Sequence, residues 1–288
     1  MRVRAVGTLI VLAMVAAFVA GCGGSSGSGR ATVNDLTRAA DVSSSAPGFK
    51  TEMTIDETIP NAGRIALTAR GSFTPSVPTG AMTAQMTLPP STGLGTLGFQ
   101  VVIDKTTMYM KLPAQFAGKV PGGKQWLYAS LDQWGKASGT PGLGGLISGN
   151  SSVYDPGQYL SFLRAMAVGS IKNLGQTTVN GARTTHYAGD VDVAKLPAAV
   201  PAAARPAAEQ LVAALHQRGG PTRMPIDVWI DASHLVRRLA VTYSATVSGK
   251  PLTGSVTEDF LQYGPQPAPA VPDPSQTVNL RSLTHGAP

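Results

Sequence analysis

From residue 49 onward, apolar and polar residues alternate with a period of two over most of the chain. The clearest segments are 49–59, 64–74, 81–88 and 98–112. Their apolar positions are Phe49, Met53, Ile55, Ile59, Ile65, Leu67, Phe73, Met82, Met86, Leu88, Met108, Met110 and Leu112. This alternation is typical of antiparallel strands that have one dry and one wet face.

The same alternation predicts later strands at 126–130, 170–179, 182–193, 224–231, 235–248 and 251–263. Asn180 and Gly181 separate two of these strands, and this dipeptide is a strong signal for a two-residue hairpin turn. A helical period appears instead at 32–45, 156–168 and 206–218. A Gly/Ser-rich loop at 135–152 precedes the second of these helices.

Together these elements predict an α+β fold with about eleven strands and three or four helices. Long antiparallel strands with helices inserted between them indicate a single strongly curved sheet, a half-barrel whose concave face the helices cover. We expect residues 32–263 to form this domain and the Pro-rich tail at 264–288 to be extended or disordered. Such a sheet either packs solid or holds a ligand.

The N-terminus has the features of a lipoprotein signal peptide at residues 1–21. Arg2 and Arg4 precede an uncharged apolar run at 5–20, which is short for a membrane span. The run ends in Val19-Ala20-Gly21-Cys22, which resembles the bacterial lipobox, where the chain is cut before the cysteine and the thiol receives fatty acyl groups such as palmitate. Because Cys22 is the single cysteine, it has no internal disulfide partner.

Residues 22–31 are therefore predicted to be a lipidated cysteine followed by a flexible Gly/Ser tether. This N-terminus places the folded domain outside the cell, held by its lipid on the outer face of the cytoplasmic membrane. The composition, rich in Gly, Ala, Thr and Pro, indicates a high-GC organism.

The formal net charge of +7 is spread without a run of Lys or Arg. Nucleic acid is not a predicted partner, because its recognition needs clustered positive charge. Weak attraction to anionic lipid head groups fits the charge better.

No cluster of residues indicates catalysis or metal binding. The histidines, at His186, His216, His234 and His285, lack any metal-ligand spacing and are expected at solvated surface positions. Asp190 and Asp192 share one strand face, but two carboxylates without further oxygen donors make a poor calcium site. We expect no enzyme activity, no cofactor and no metal.

Two hairpin segments carry a family resemblance. Val179-Asn-Gly-Ala-Arg-Thr-Thr-His-Tyr-Ala-Gly-Asp-Val-Asp192 and Ile226-Asp-Val-Trp-Ile-Asp-Ala-Ser-His-Leu-Val-Arg-Arg238 resemble hairpins of the actinobacterial, mycobacterial-type LppX–LprG lipoproteins. The resemblance implies a LolA-like half-barrel with an apolar cavity that carries or presents acylated lipids or glycolipids across the cell envelope. Within the motifs, we expect Tyr187 and Trp229 to pack against strands and Asn180-Gly181 to form the turn.

The resemblance also implies that the apolar faces line a cavity. The predicted lining residues are Met53, Ile55, Leu67, Met82, Met86, Leu88, Met108, Met110, Leu163, Met166, Leu211 and Leu215. From the residues alone, a methionine stripe more often fills a solid core, although methionine also adapts to irregular partners. The helices at 156–168 and 206–218 would form a lid, and the loop at 135–152 would let it move.

Two functions remain open at this point. The first is a membrane-anchored envelope lipoprotein that binds an acylated lipid or glycolipid in an apolar cavity and carries or presents it between the membrane and the cell envelope, with a membrane lipid transporter as a further partner. The second is a non-catalytic envelope sensor or chaperone-like interaction module with a filled core. The fold does not separate them, because function depends on the site that the fold carries.

Overall fold

The structure is a computed structural model. It describes residues 29–131, 133–134, 163–166, 170–200, 202, 205–217, 221–247 and 250–284. The signal peptide, Cys22, most of the tether, the predicted loop at 135–152 and most of the predicted helix at 156–168 lie outside the described residues.

The described residues contain four α-helices and twelve strands. The helices are α1 (Gly29–Ser44), α2 (Leu196–Ala199), α3 (Arg205–Gln217) and α4 (Leu280–Thr284). The strands are β1 (Phe49–Ile59), β2 (Gly63–Thr74), β3 (Thr79–Thr87), β4 (Thr96–Asp104), β5 (Thr107–Lys111), β6 (Trp126–Ser130), β7 (Lys172–Val179), β8 (Ala182–Asp192), β9 (Arg223–Asp231), β10 (Val236–Val247), β11 (Lys250–Tyr263) and β12 (Thr277–Asn279).

All twelve strands belong to one large, open, curved sheet in the order β12-β6-β5-β4-β3-β2-β1-β11-β10-β9-β8-β7. Every pair is antiparallel except β12 with β6, which is parallel. The predicted α+β class and the curved sheet are therefore confirmed. Strand β1 joins the two halves of the sheet, because it pairs with β2 on one side and β11 on the other.

Tight turns fix the register of the hairpins. Asn180 and Gly181 both have positive φ, 49° and 81°, as the predicted two-residue turn requires. Lys105, between β4 and β5, and His234, between β9 and β10, also have positive φ. The hairpins predicted at 179–192 and 226–238 are confirmed, and the alternating segment 98–112 forms a third hairpin from β4 and β5.

The face against which α1 packs is called the inner face here. Residues paired directly across antiparallel strands share a face. Met53 pairs with Ala69, Ala69 with Ala84, and Ala84 with Phe99. The apolar positions predicted from 49–112 follow the same alternation, so they share the inner face as expected.

A first core cluster forms where α1 covers the inner face of β8–β11. Leu36, Ala39 and Ala40 of α1 are fully buried in this cluster. Ser43 at the end of the helix accepts a 2.9 Å hydrogen bond from the backbone N–H of Val236. The sequence predicted α1 but not its covering role, which had been given to the helices at 156–168 and 206–218.

A second, smaller cluster lies on the inner face of β4 and β5. It consists of Val101, Ile103, Met108 and Leu131, with Trp134 packed against it. The indole Nε1–H of Trp134 donates a 3.1 Å hydrogen bond to the carbonyl oxygen of Met108, which fixes the ring over the strand.

The C-terminal tail differs from the prediction of an extended or disordered segment. Residues 277–279 form β12, which extends the sheet beyond β6 and raises the strand number from about eleven to twelve. Lys124 Nζ donates a 2.8 Å hydrogen bond to the carbonyl oxygen of Thr277. A three-residue strand has too little periodicity to be recognised, because its pairing depends on a partner about 150 residues away.

The ring of Phe73 lies over two glycines, Gly71 of its own strand β2 and Gly80 of the neighbouring strand β3. A Cβ added at Gly80 would collide with Cδ1 of Phe73, and one added at Gly71 would lie 2.8 Å from its Cε2. Phe73 also stacks on Phe49, with ring centres 5.6 Å apart. The absence of side chains at these glycines lets this aromatic group pack against the sheet.

We expect Gly80→Ala to lower the free energy of unfolding by roughly 1–3 kcal/mol, since Phe73 must leave its position. Gly98→Ala is the matched control, because a Cβ there meets no atom within 4 Å. Its effect should stay within about 0.5 kcal/mol or be stabilising. Urea unfolding checks both; equal losses for the two variants would contradict the role given to Gly80.

Candidate functional site

Between the two core clusters, the inner face carries apolar side chains that belong to neither. Leu67, Met86 and Phe99 are half-buried, and they flank the small residues Ala69 and Ala84. Leu67 pairs directly with Met86, and Ala84 pairs with Phe99. We call these five residues the inner patch. It is a contiguous apolar surface in which Ala69 and Ala84 are buried, whereas its three large side chains are less buried than those of the clusters on either side.

Most of the predicted lining residues surround this patch. Met53, Ile55, Met82 and Met110 are half-buried on the inner face, and Leu88 and Met108 are buried there. Their contact with a ligand remains a prediction.

The predicted lining residues from the helices have a different position. Leu163 and Met166 are buried in the first core cluster, where Met166 forms a bridge to Val191. Leu211 and Leu215 belong to α3, but their side chains lie outside the described part of the structure. In the same helix, Val212 packs against the first cluster and Ala208 against Val200.

A carboxyl group interrupts the apolar inner face. Glu57 lies on β1 between Ile55 and Ile59, at a position whose side chain faces inward as theirs do, and the residue is only 4% exposed. Its Oε1 atom is buried without a hydrogen-bond partner. Burial raises the pKa of the Glu57 carboxyl to about 7, because a charged carboxylate is poorly solvated there.

A second carboxyl group on the inner face, that of Glu258, has a hydrogen-bond partner. Its Oε1 accepts a 2.9 Å hydrogen bond from the hydroxyl of Thr51. The two glutamates therefore differ: Glu258 is tied into the sheet, whereas Glu57 is not. Glu57 is not among the site residues predicted from the sequence, although its period-two position beside Ile55 and Ile59 was the available signal.

A groove of about 660 Å³ lies on the opposite, outer face of β1–β5. Its lining combines the polar residues Glu52, Thr68, Arg70, Thr83, Gln85, Gln100 and Lys111 with Ala84, Gly98, Phe99, Leu112, Pro113 and Ala114. Arg70 and Glu52 form an ion pair at 2.9 Å within it. This groove is not the apolar cavity predicted from the sequence, since its floor is the wet face of the sheet.

The hairpin motif residues pack the outer face of β8–β11. The rings of His186 and Trp229 stack with centres 4.2 Å apart, and His186 Nε2 lies 2.7 Å from Oδ1 of Asp227. The guanidinium carbon of Arg238 lies 5.7 Å from the ring centre of Trp229, and Arg238 donates two hydrogen bonds to Asp259, at 2.6 and 2.8 Å. The contacts thus cross four strands.

These contacts correct one prediction and agree with another. His186 is half-buried in a stack rather than at a solvated surface position. Tyr187 is buried on the inner face, where its hydroxyl donates to Asp35 of α1 at 3.4 Å, so the motif aromatics pack strands as expected. His216 is exposed on α3, His234 is half-buried in its turn, and His285 lies outside the described residues.

In the part of the chain that the structure describes, no group of three His, Cys, Asp or Glu residues could hold a metal ion. No described helix is both long enough and apolar enough to cross a membrane.

The comparisons with known proteins give one sequence relative. A Streptomyces griseus protein described as an uncharacterized 31.2 kDa protein in the rplA–rplJ intergenic region is 31% identical over 169 residues. The match covers 56% of this chain and 50% of that protein, so it spans about half the length of this curated relative. No family model matches the chain.

Two similar solved structures come from mycobacteria. LprF from Mycobacterium bovis has a TM-score of 0.48 and 15% identity, covering 84% of this chain and 97% of that one. The lipoprotein LppX from Mycobacterium tuberculosis has a TM-score of 0.46 and 13% identity, covering 84% and 100%. LppX, whose family the two hairpin motifs resemble, is thus among the solved structures to which this chain is similar.

The raised pKa of Glu57 generates a prediction about stability. Between pH 4.5 and 7, the unfolded chain loses the proton of Glu57 before the folded chain does, so the carboxyl lowers stability as pH rises. Glu57→Gln should remove this fall. The free energy of unfolding of the variant minus that of the wild type should rise by up to about 3 kcal/mol from pH 4.5 to pH 8.

Urea unfolding of both proteins across this pH range measures the difference. Asp56→Asn serves as control, because Asp56 lies on the outer face in an ion pair with Arg64, which lowers the pKa of Asp56. A difference between wild type and Glu57→Gln that does not change with pH would show that Glu57 titrates normally.

Proposed function

We propose that this protein is a non-catalytic, membrane-anchored envelope lipoprotein that binds the acyl chains of a lipid on its inner patch and carries or presents that lipid between the membrane and the cell envelope. The observation that carries the proposal is the half-buried apolar surface of Leu67, Met86 and Phe99 between two packed clusters.

The physical need for such a surface follows from the cost of removing a lipid from a bilayer. At about 0.8 kcal/mol per CH₂, exposing one ~16-carbon chain to water costs on the order of 12 kcal/mol. A carrier must therefore offer the chain a continuous apolar contact. The inner face of β1–β5 offers a surface of this type, with aliphatic, aromatic and thioether side chains side by side.

The composition of this face suits a ligand of variable shape. Met53, Met82, Met86 and Met110 all lie half-buried on it. Methionine is unbranched and polarizable, so it can adapt to chains of different length or branching. The small side chains of Ala69 and Ala84 leave the sheet backbone close to whatever packs there.

The predicted anchor would keep this face near the lipid source. Six Gly and Ser residues separate Cys22 from the first residue of α1 at Gly29. A flexible chain of this length spans roughly 13 Å on average. Because α1 covers one end of the same inner face, a short tether holds the binding surface close to the membrane.

Steric filling of the inner patch tests the proposal. We expect Met86→Trp to reduce the uptake of a fluorescent-acyl phospholipid from vesicles by roughly tenfold, while far-ultraviolet circular dichroism shows an intact sheet. Gln85→Trp is the matched control, since Gln85 is the adjacent residue of β3 and is exposed on the outer face. That variant should take up lipid as the wild type does.

Equal uptake by the two folded variants would contradict binding at the inner patch. Loss of uptake only in Gln85→Trp would move the lipid to the outer groove. No uptake by the wild type would favour the non-catalytic sensor or chaperone-like interaction module, in which the core is filled.

The anchor has its own test. We expect Cys22→Ser to move the protein from the membrane fraction to the soluble fraction in an actinobacterial host, because serine has no thiol to receive the acyl groups that the proposal assigns as the anchor. Mass spectrometry of the N-terminal peptide should show acyl groups on Cys22 in the wild type. A membrane-bound Cys22→Ser protein, or an unmodified Cys22, would contradict lipid anchoring.

A further inference from the structure

The strand neighbours of Glu57 on the inner face are apolar: Ile55, Ile59, Ile65, Leu67, Leu252 and Val256. Directly across from Glu57 on β11 is Gly254, which has no side chain to approach the carboxyl and which pairs in turn with Tyr243 of β10. Glu57 is therefore the one charged side chain among these paired positions.

Other acidic side chains of the same strand have partners. Asp56 is paired with Arg64, and Glu52 is paired with Arg70 at 2.9 Å. Among the described residues, no hydrogen bond or ion pair reaches Glu57, and its Oε1 is buried and unsatisfied. A buried polar atom without a partner lowers stability, so a retained one calls for a ligand or a role.

Glu57 lies at the edge of the inner patch. It pairs with Ile65, and Leu67 is the diagonal neighbour, which places the two side chains roughly 7–8 Å apart. Met86 pairs with Leu67 from β3, which lies two strands from β1 and therefore about 10 Å away across the sheet. These spacings match the separation between a lipid head group and the first carbons of its acyl chains.

We propose that Glu57 binds a hydrogen-bond donor, a hydroxyl or an ammonium group, in the head group of a lipid whose acyl chains lie on the inner patch. This inference rests on the proposed function and names the ligand class: lipids whose head group carries a hydroxyl or an ammonium donor. Such a donor would satisfy Oε1, which otherwise stays without a partner.

The same geometry disfavours other lipids. A head group without a donor, as in triacylglycerol, leaves the carboxyl unsatisfied inside an apolar site. A phosphate monoester adds a negative charge beside a second acidic group, which is costly where water is excluded. Selectivity among lipids would therefore come from the hydrogen bond to Glu57, while affinity comes from the acyl chains on the inner patch.

Two matched lipid pairs test this with the full-length protein. The first pair is a diacylglycerol and its 3-O-methyl ether, which differ only in the hydroxyl. The second is phosphatidylethanolamine and phosphatidylcholine, whose N-methyl groups leave no N–H to donate. Binding is measured by displacement of a fluorescent-acyl lipid.

For the wild type we expect the donor lipid of one pair to bind about tenfold tighter than its partner, as a buried hydrogen bond to a carboxylate provides. The pair that responds shows whether the donor is a hydroxyl or an ammonium. Glu57→Leu should bind both members equally, and Glu57→Gln, whose amide oxygen still accepts, should keep part of the preference. Asp56→Asn, the outer-face control, should behave as the wild type.

Equal binding within both pairs by the wild type, or a preference that survives Glu57→Leu, would overturn the role of Glu57 and leave lipid binding intact. Failure of the wild type to bind any of the four lipids would instead overturn the proposed function itself. The two failures are therefore distinguishable in one set of measurements.

Discussion

Strand β1 lies between β2 and β11, and all other strands reach the sheet through one of these two neighbours. Its register decides which side chains face inward: Met53 pairs with Ala69 on one side and with Glu258 on the other. A shift of one residue would turn the apolar face of one half of the sheet to the opposite side. The two core clusters and the patch between them depend on this single alignment.

The inner faces of the two halves of the sheet are covered by different elements. In the β8–β11 half, α1 covers the inner face, while the stack of His186, Trp229 and Arg238 ties the strands together on the outer face. In the β1–β5 half, the first cluster has only Phe49, Ile59 and Phe73 as buried members, and a second, small cluster around Trp134 covers β4 and β5. The large side chains of the inner patch between them stay half-buried, and this is the surface that the proposed lipid would contact.

Strands β1–β5 could be predicted from the sequence because their alternation of apolar and polar residues is regular, as at Ile65 and Leu67 in β2. The Asn180-Gly181 hairpin was predictable from local turn chemistry. Strand β12 and the covering role of α1 were not, since both depend on contacts with residues more than a hundred positions away. Glu57 was overlooked because it follows Asp56, and two adjacent acidic residues do not reveal that one of them faces inward.

The central claim is that a lipid occupies the inner patch, and native mass spectrometry of the full-length protein from an actinobacterial host, combined with lipid extraction, tests it most directly. The account predicts a co-purifying acylated lipid at near one-to-one stoichiometry, with less lipid on Met86→Trp than on Gln85→Trp. A lipid-free wild-type protein that also fails to take up added phospholipid or diacylglycerol would contradict it.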